Sequence, residues 1–303
     1  MEHVRWLSEP TLRTPSLVCA FTGWNDAGDA ASSAARAFIE EWGATAVAEI
    51  DPEPFTDFAT VRPHVRLDGG RRKIVWPAVG IWAASAPGGD VLLVLGPEPA
   101  LRWKLFCRQL TTLAEQLSVP MSINLGALLA DVPHTRTVQV IGTATDRELI
   151  ERFDLQQSRY EGPTGIVGVL SDALSRAGVS SVSLWAAVPG YAAQVPSPKA
   201  ALALVRRAAS IIGTPAPDGA LGGALAEYDA RVAALIGGDD DLVEYVTRLE
   251  SMIDDVDEPD LDPDADDVEG AAATPIPSGD VDADPGELVA VVERFLRDRD
   301  GNG

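Results

Sequence analysis

Leu17-Val18-Cys19-Ala20-Phe21 is an unbroken apolar run within Pro15–Phe21, the pattern of a short strand covered on both faces. The next segment changes period. Ala27, Ala30, Ala31, Ala34, Ala35, Phe38, Ile39 and Trp42 recur at helical spacing, with Asp29, Ser32, Ser33, Arg36, Glu40 and Glu41 on the opposite side. Gly43 ends this helix and Ala44–Ile50 reads as a second strand. Strand, helix and strand at this spacing make a βαβ unit, so the two strands should run parallel.

His64–Leu67 and Lys73–Trp76 flank the turn signal Asp68-Gly69-Gly70, which predicts a β-hairpin inserted at about 55–77. Strands are predicted over Gly80–Ser85, Val91–Leu95, Met121–Leu129, Thr137–Ile141 and Ser181–Val188. Helices are predicted on the face Trp103, Phe106, Cys107, Leu110, Ala114, Leu117, over Gly165–Ala177, and from Ser197-Pro198 to Ile212. This alternation predicts an α/β protein whose three-layer α/β/α core fills residues 1–213. Beyond Gly213 the strand patterns stop. Asp218–Leu235 and Asp240–Ile253 read as a helical hairpin within a C-terminal unit, 214–253.

Composition changes the picture at the C-terminus. Thirteen acids and no Lys or Arg lie between Asp254 and Asp284, and removing them takes the formal charge from −22 to −9. Residues 254–285 are therefore expected to be a disordered acidic tail. Leu288, Val291, Val292, Phe295 and Leu296 recover a helical stripe, so 286–299 is expected to be an amphipathic helix that docks in cis or on a protein partner. The acidic balance argues against nucleic acid or anionic lipid as a partner. Met1–Pro10 has no apolar run, and nowhere do about 18 apolar residues run together, so a cytoplasmic chain without membrane spans is expected. Cys19 and Cys107 both fall at apolar positions and read as buried small hydrophobes.

Candidate chemistry gathers in loops that follow strands, where open α/β sheets hold their ligands. Asn25, Asp26 and Asp29 in Gly23–Asp29 could take an amine, a sugar hydroxyl or a cation, or the two acids could simply cap the helix. Two carboxylates there would repel a phosphate. His134, one of three histidines, is a candidate base or a structural hydrogen-bonding group. Glu161, Gly162, Thr164 and Gly165 precede a helix whose free N–H groups could hold an anion, although its glycines could equally serve close packing. These eight residues are expected to bound one ligand pocket under the helices of 218–253. The chain lacks a phosphate-binding Gly-x-x-x-x-Gly-Lys-Ser/Thr loop, a Gly-x-Ser-x-Gly elbow, His-Glu-x-x-His and Cys-x-x-Cys. No metal and no cofactor is expected, and no catalytic residue is assigned.

Several segments together resemble one family. They are Phe21-Thr22-Gly23-Trp24-Asn25-Asp26-Ala27-Gly28-Asp29, Asp57-Phe58 with Arg62-Pro63, Gly96-Pro97-Glu98-Pro99 with Arg102-Trp103, and Gly126–Arg136. Tyr160-Glu161-Gly162-Pro163-Thr164-Gly165, Trp185–Pro189 and Ser197-Pro198-Lys199-Ala200 complete the set. In this order, over about 10–253, the chain resembles the proteasome assembly chaperone 2 family in its actinobacterial branch. The resemblance implies a core similar to purine nucleoside phosphorylases and peptidyl-tRNA hydrolases, a helical C-terminal lid over a pocket, and homo-trimers joined through the hairpin. It implies a non-catalytic oligomeric binding or assembly role. The alternative is a small-molecule enzyme, a nucleoside-like hydrolase or phosphorylase or a carboxylate–amine ligase, with its site under the lid. Relatives that bind proteasome rings use a C-terminal hydrophobic-Tyr-x tail, whereas this chain ends Asp300-Gly301-Asn302-Gly303, so that mode is not expected. Gly190-Tyr191 stands where relatives tend to carry His-Tyr, which weakens a hydrolase reading.

Overall fold

The structure, a computed structural model, describes residues 2–257. The expected terminal helix and all but the first residues of the expected acidic tail lie outside the described residues. Ten strands and eight helices are described: β1 (Val4–Trp6), β2 (Ser16–Thr22), α1 (Ala30–Glu41), β3 (Thr45–Ile50), β4 (His64–Asp68), β5 (Arg71–Val75), β6 (Val79–Ala86), β7 (Gly89–Pro97) and α2 (Trp103–Gln116) come first. After them come β8 (Met121–Ala130), β9 (Val140–Ala144), α3 (Arg147–Phe153), α4 (Ile166–Arg176), β10 (Ser180–Pro189), α5 (Pro198–Ile212), α6 (Gly219–Gly223), α7 (Leu225–Ile236) and α8 (Asp240–Asp257).

Eight strands form one mixed sheet in the order β1-β3-β6-β7-β2-β8-β10-β9, and among the described residues β4 and β5 pair only with each other. The central strands show why a continuous apolar run was needed. Leu17, Cys19 and Phe21 of β2 pack with Phe106 and Leu110 of α2 and Ile166 and Leu170 of α4. Val18 and Ala20 point the other way, into a cluster with α1 and α5. Successive residues face opposite layers, so both sets must be apolar. The fold is a three-layer α/β/α sandwich. Alanines at 30, 31, 34 and 35 of α1 and at 200, 201, 208 and 209 of α5 are all buried in that second layer, and their small side chains let the two helices approach closely.

Several local readings need adjustment. β3 does run in the direction of β2, through two antiparallel steps at β6 and β7, but those two strands stand between them. The strand expected at 137–141 forms at Val140–Ala144, because the ladder with β10 begins at Val140↔Ala186. Ser32, expected on the outer face of α1, is fully buried, since it sits in the first turn beneath the preceding loop. Two elements lacked a readable signal. β1 has only three residues, and α3 has seven, too few to display a helical period. α3 is nonetheless capped by Asp146, whose side chain accepts from the Glu148 N–H at 2.8 Å. At the other end α8 continues through Asp254, expected at the head of the tail, to Asp257. Asp254 accepts from the Arg136 Nε–H at 2.7 Å.

β2, β7, β8 and β10 are mutually parallel. The segments that follow them, 23–29, 98–102, 131–136 and 190–197, therefore emerge at one edge of the sheet, where ligands gather in open α/β folds.

Candidate functional site

The loop after β2 is pinned before it reaches α1. The Ala127 N–H donates to the Asn25 carbonyl at 2.8 Å, extending the sheet by one bridge between Asp26 and Ala127. Asp26 Oδ1 then accepts from the Ser32 N–H at 3.0 Å, which satisfies an otherwise free donor in the first turn of α1. Asp26 is thus the cap. Asp29, at the formal cap position, is left-handed (φ 52°) and makes no side-chain cap bond. Burial raises the Asp26 pKa above its ordinary value, and the neighbouring Asp29 adds to this, against the lowering effect of Ser32.

Asn25 is 1% exposed. Its Nδ2 donates to Glu98 Oε1 at 2.8 Å, and the same oxygen accepts from the Ile166 N–H at 2.8 Å. The N-terminus of α4, expected as an anion site, is therefore met by a carboxylate of the chain itself. Glu98 follows β7 and ties the loop after β2 to the start of α4.

A cavity of about 990 Å³ opens beside this junction. Three elements turn polar faces into it. Gly168, Ser171, Asp172, Ser175 and Arg176 form a helical stripe on α4, Ser183 and Trp185 alternate on β10, and Ile141, Thr143 and Thr145 alternate along β9 and just beyond it. Residues 157–164 join the β9 edge to the start of α4 and contribute Gln157, Ser158, Tyr160, Pro163 and Thr164. Trp24, Asp26 and Asp29 line the end next to α1. The Trp185 ring lies over Gly126, its register partner on β8, where a Cβ would meet the ring at 2.5 Å. Beneath the cavity Ser171 Oγ and Ser181 Oγ are 2.9 Å apart. The chain continues from Ser181 to Ser122 at 2.9 Å and to Asn124 Nδ2 at 3.0 Å.

The eight expected pocket residues do not all meet. Asp26, Asp29 and Thr164 line the large cavity. Asn25 and Gly165 form the junction behind it, and Glu161 and Gly162 are outside its lining. His134 lines a separate small cavity with Lys199, Tyr228 and Ile253. There the Tyr191 hydroxyl accepts from the His134 N–H at 2.7 Å and lies 3.0 Å from its Nδ1. That hydroxyl can donate its one proton to Nδ1 or accept a second bond from an Nδ1–H, so the contact serves either tautomer of the ring. Burial first, then Lys199, lowers the His134 pKa, against Asp229 and Glu250. Lys199 donates to the His134 carbonyl at 2.8 Å and pairs with Asp229 of α7 at 2.7 Å. Helices α7 and α8 cover this histidine; no residue of α6–α8 lines the large cavity.

Glu98, Trp24, Tyr160 and Trp185 were not among the expected site residues. Glu98 was accessible to the same logic as Asn25, since both follow parallel strands of one sheet. Trp185 sits inside a strand, and only its register over Gly126 assigns it to the cavity. Among the described residues, no cluster of three or more His, Cys, Asp or Glu is disposed to hold a metal ion, and no helix is long and apolar enough to cross a membrane.

The sequence pattern of the PAC2 family matches residues 20–236, from β2 to the end of α7. The chain belongs to the PAC2 family. Among PAC2 structures, one from Streptomyces avermitilis is 45% identical, with a TM-score of 0.71 over 77% of this chain and 99% of the other. A proteasome-assembly chaperone homologue of Mycobacterium tuberculosis is 41% identical, with a TM-score of 0.69 over 76% and 99%. An archaeal proteasome activator of Pyrococcus furiosus shares the PAC2 fold at 16% identity and TM-score 0.64, over 78% and 99%. No curated protein matches the chain. The junction and the cavity both lie within the PAC2 match.

Proposed function

We propose that this chain is a non-catalytic assembly protein of the chaperone-like kind, working as a homo-trimer joined through its β4–β5 hairpin. The reading is supported most by the likeness to the mycobacterial proteasome-assembly chaperone homologue, which extends over nearly all of that protein. The hairpin supports the oligomer. A two-stranded sheet alone is marginal in water, and among the described residues β4 and β5 have no other strand to pair with. Val65 stands opposite Ile74, with Leu67 on the same face, and all three are exposed in the single chain, Leu67 at 74%. At its base Trp76 packs edge-on against Phe58 at 4.9 Å. Phe55 adds nothing to this surface, being buried against Phe106.

Charge adds to the argument. Arg62, Arg66, Arg71, Arg72 and Lys73 make the hairpin basic in a chain of net charge −22, so a second acidic copy is a complementary partner. The test of the assembly role is to add the full chain to unassembled proteasome subunits and follow ring formation on native gels. Formation of a complex with the subunits and faster ring appearance are expected. Unchanged assembly with no complex would overturn the role.

A further inference from the structure

We propose that the large cavity between α4 and the β9–β10 edge binds a neutral, hydroxyl-rich ring compound, a saccharide unit or an unphosphorylated nucleoside. This stands apart from the assembly role and rests on different residues. At about 990 Å³ the cavity is of the size that holds small ligands. The chemistry of its wall narrows the class.

Among the described residues three carboxylates line it, Asp26, Asp29 and Asp172, against one basic side chain, Arg176. Arg176 is already engaged, its Nε 3.0 Å from Asp172 Oδ1. A phosphate or carboxylate ligand would meet repulsion with no free cation to offset it. Two acceptors stand ready for hydroxyl donors. The Asp29 carboxylate makes no hydrogen bond or ion pair among the described residues. Asp26 is 6% exposed, and its Oδ2 is buried without a hydrogen-bond partner. An unsatisfied buried carboxylate oxygen costs free energy that a ligand donor would recover.

A bare ammonium ligand would use these acceptors but not the rest of the wall. The polar stripe of α4 and the alternating β9 and β10 side chains present hydroxyls, which donate as well as accept. Trp24 and Trp185 supply flat apolar faces of the kind that pack on a sugar ring or a base. Ring hydroxyls together with one apolar face match all of these features at once.

The test is calorimetric titration of the full chain with matched probes. Adenosine, guanosine, cytidine and uridine form the nucleoside arm, and glucose, galactose and trehalose the saccharide arm. Their monophosphates and spermidine are the charged controls. Binding of a member of one neutral arm is expected, with its phosphorylated counterpart weaker by about tenfold or more. Asp29→Asn should weaken that binding by about tenfold while leaving the unliganded melting temperature unchanged. Trp24→Ala should do the same if it folds; Asp29→Asn, on an exposed side chain, is the variant that decides. Absence of binding in both neutral arms at millimolar concentration would overturn the proposal. So would equal affinity for the phosphorylated probes, binding of spermidine alone, or an Asp29→Asn variant that binds as the parent does.

Discussion

The side-chain amide of Asn25 occupies the space that a Cβ on Gly165 would fill. The backbone of Gly165 is ordinary (φ −89°), so the requirement for glycine is one of room and not of conformation. Gly165→Ala should therefore destabilise the chain by about 1–3 kcal/mol through overpacking. In an Asn25→Ala background the same change should cost under about 0.5 kcal/mol, because the clashing amide is gone. Chemical denaturation of the four proteins measures this coupling. Equal costs in both backgrounds would show that Asn25 is not the obstacle.

Glu98 holds two donors on one oxygen, the Asn25 amide and the first N–H of α4. Glu98→Gln retains an acceptor at Oε1 and should stay within about 1 kcal/mol of the parent. Glu98→Ala leaves both donors unmet and should cost about 1–3 kcal/mol. Denaturation midpoints distinguish the two. A Gln variant as unstable as the Ala variant would mean that the charge, and not the acceptor, holds the junction.

Asp26 gives the loop a pH dependence of calculable sign. Its folded pKa is raised from the ordinary 3.8, chiefly by burial. The folded chain thus holds this proton more tightly than the unfolded chain does. The stability tied to that proton is present below the unfolded value and is lost as pH rises through the folded one. Asp26→Asn keeps an oxygen for the Ser32 N–H and removes the ionisation. The variant should be at least as stable as the parent at pH 7, with the difference closing near pH 4. Thermal melts across this range check it, and a variant that loses most stability at pH 7 would contradict it.

His134 acts in the opposite direction. Its folded pKa lies below the ordinary 6.5, so its contribution is present above that value and is lost as pH falls through the folded pKa. The parent should therefore lose melting temperature between pH 7.5 and 5 more steeply than His134→Gln. Parallel slopes would remove His134 as the cause.

Much of this fold was legible because the central strands and helices carry full periods. β2 shows an uninterrupted apolar run, and α1 places an alanine at nearly every inward position. Short elements escaped, since three or seven residues cannot display a period. The site was only partly legible. The loops after β2 and before α4 were visible as glycine-rich strand-to-helix connections, and the structure does bring them together. The polar stripe of α4, from Gly168 to Arg176, has the spacing of a solvent face and faces a cavity instead. Periodicity reports that a face is polar but not what lies opposite it. His134 was grouped with Asp26 because both follow parallel strands of one edge, but α7 and α8 cover only the histidine.

The oligomer carries the account, and sedimentation equilibrium of the full chain tests it most directly. The proposed homo-trimer, whose copy number comes from the family resemblance, is a particle of three 32.0 kDa chains that covers the apolar hairpin face of Val65, Leu67 and Ile74. Leu67→Asp, on the most exposed of these side chains, should reduce it to single chains with an unchanged far-ultraviolet circular dichroism spectrum. A parent protein that sediments as one 32.0 kDa chain would contradict the central claim.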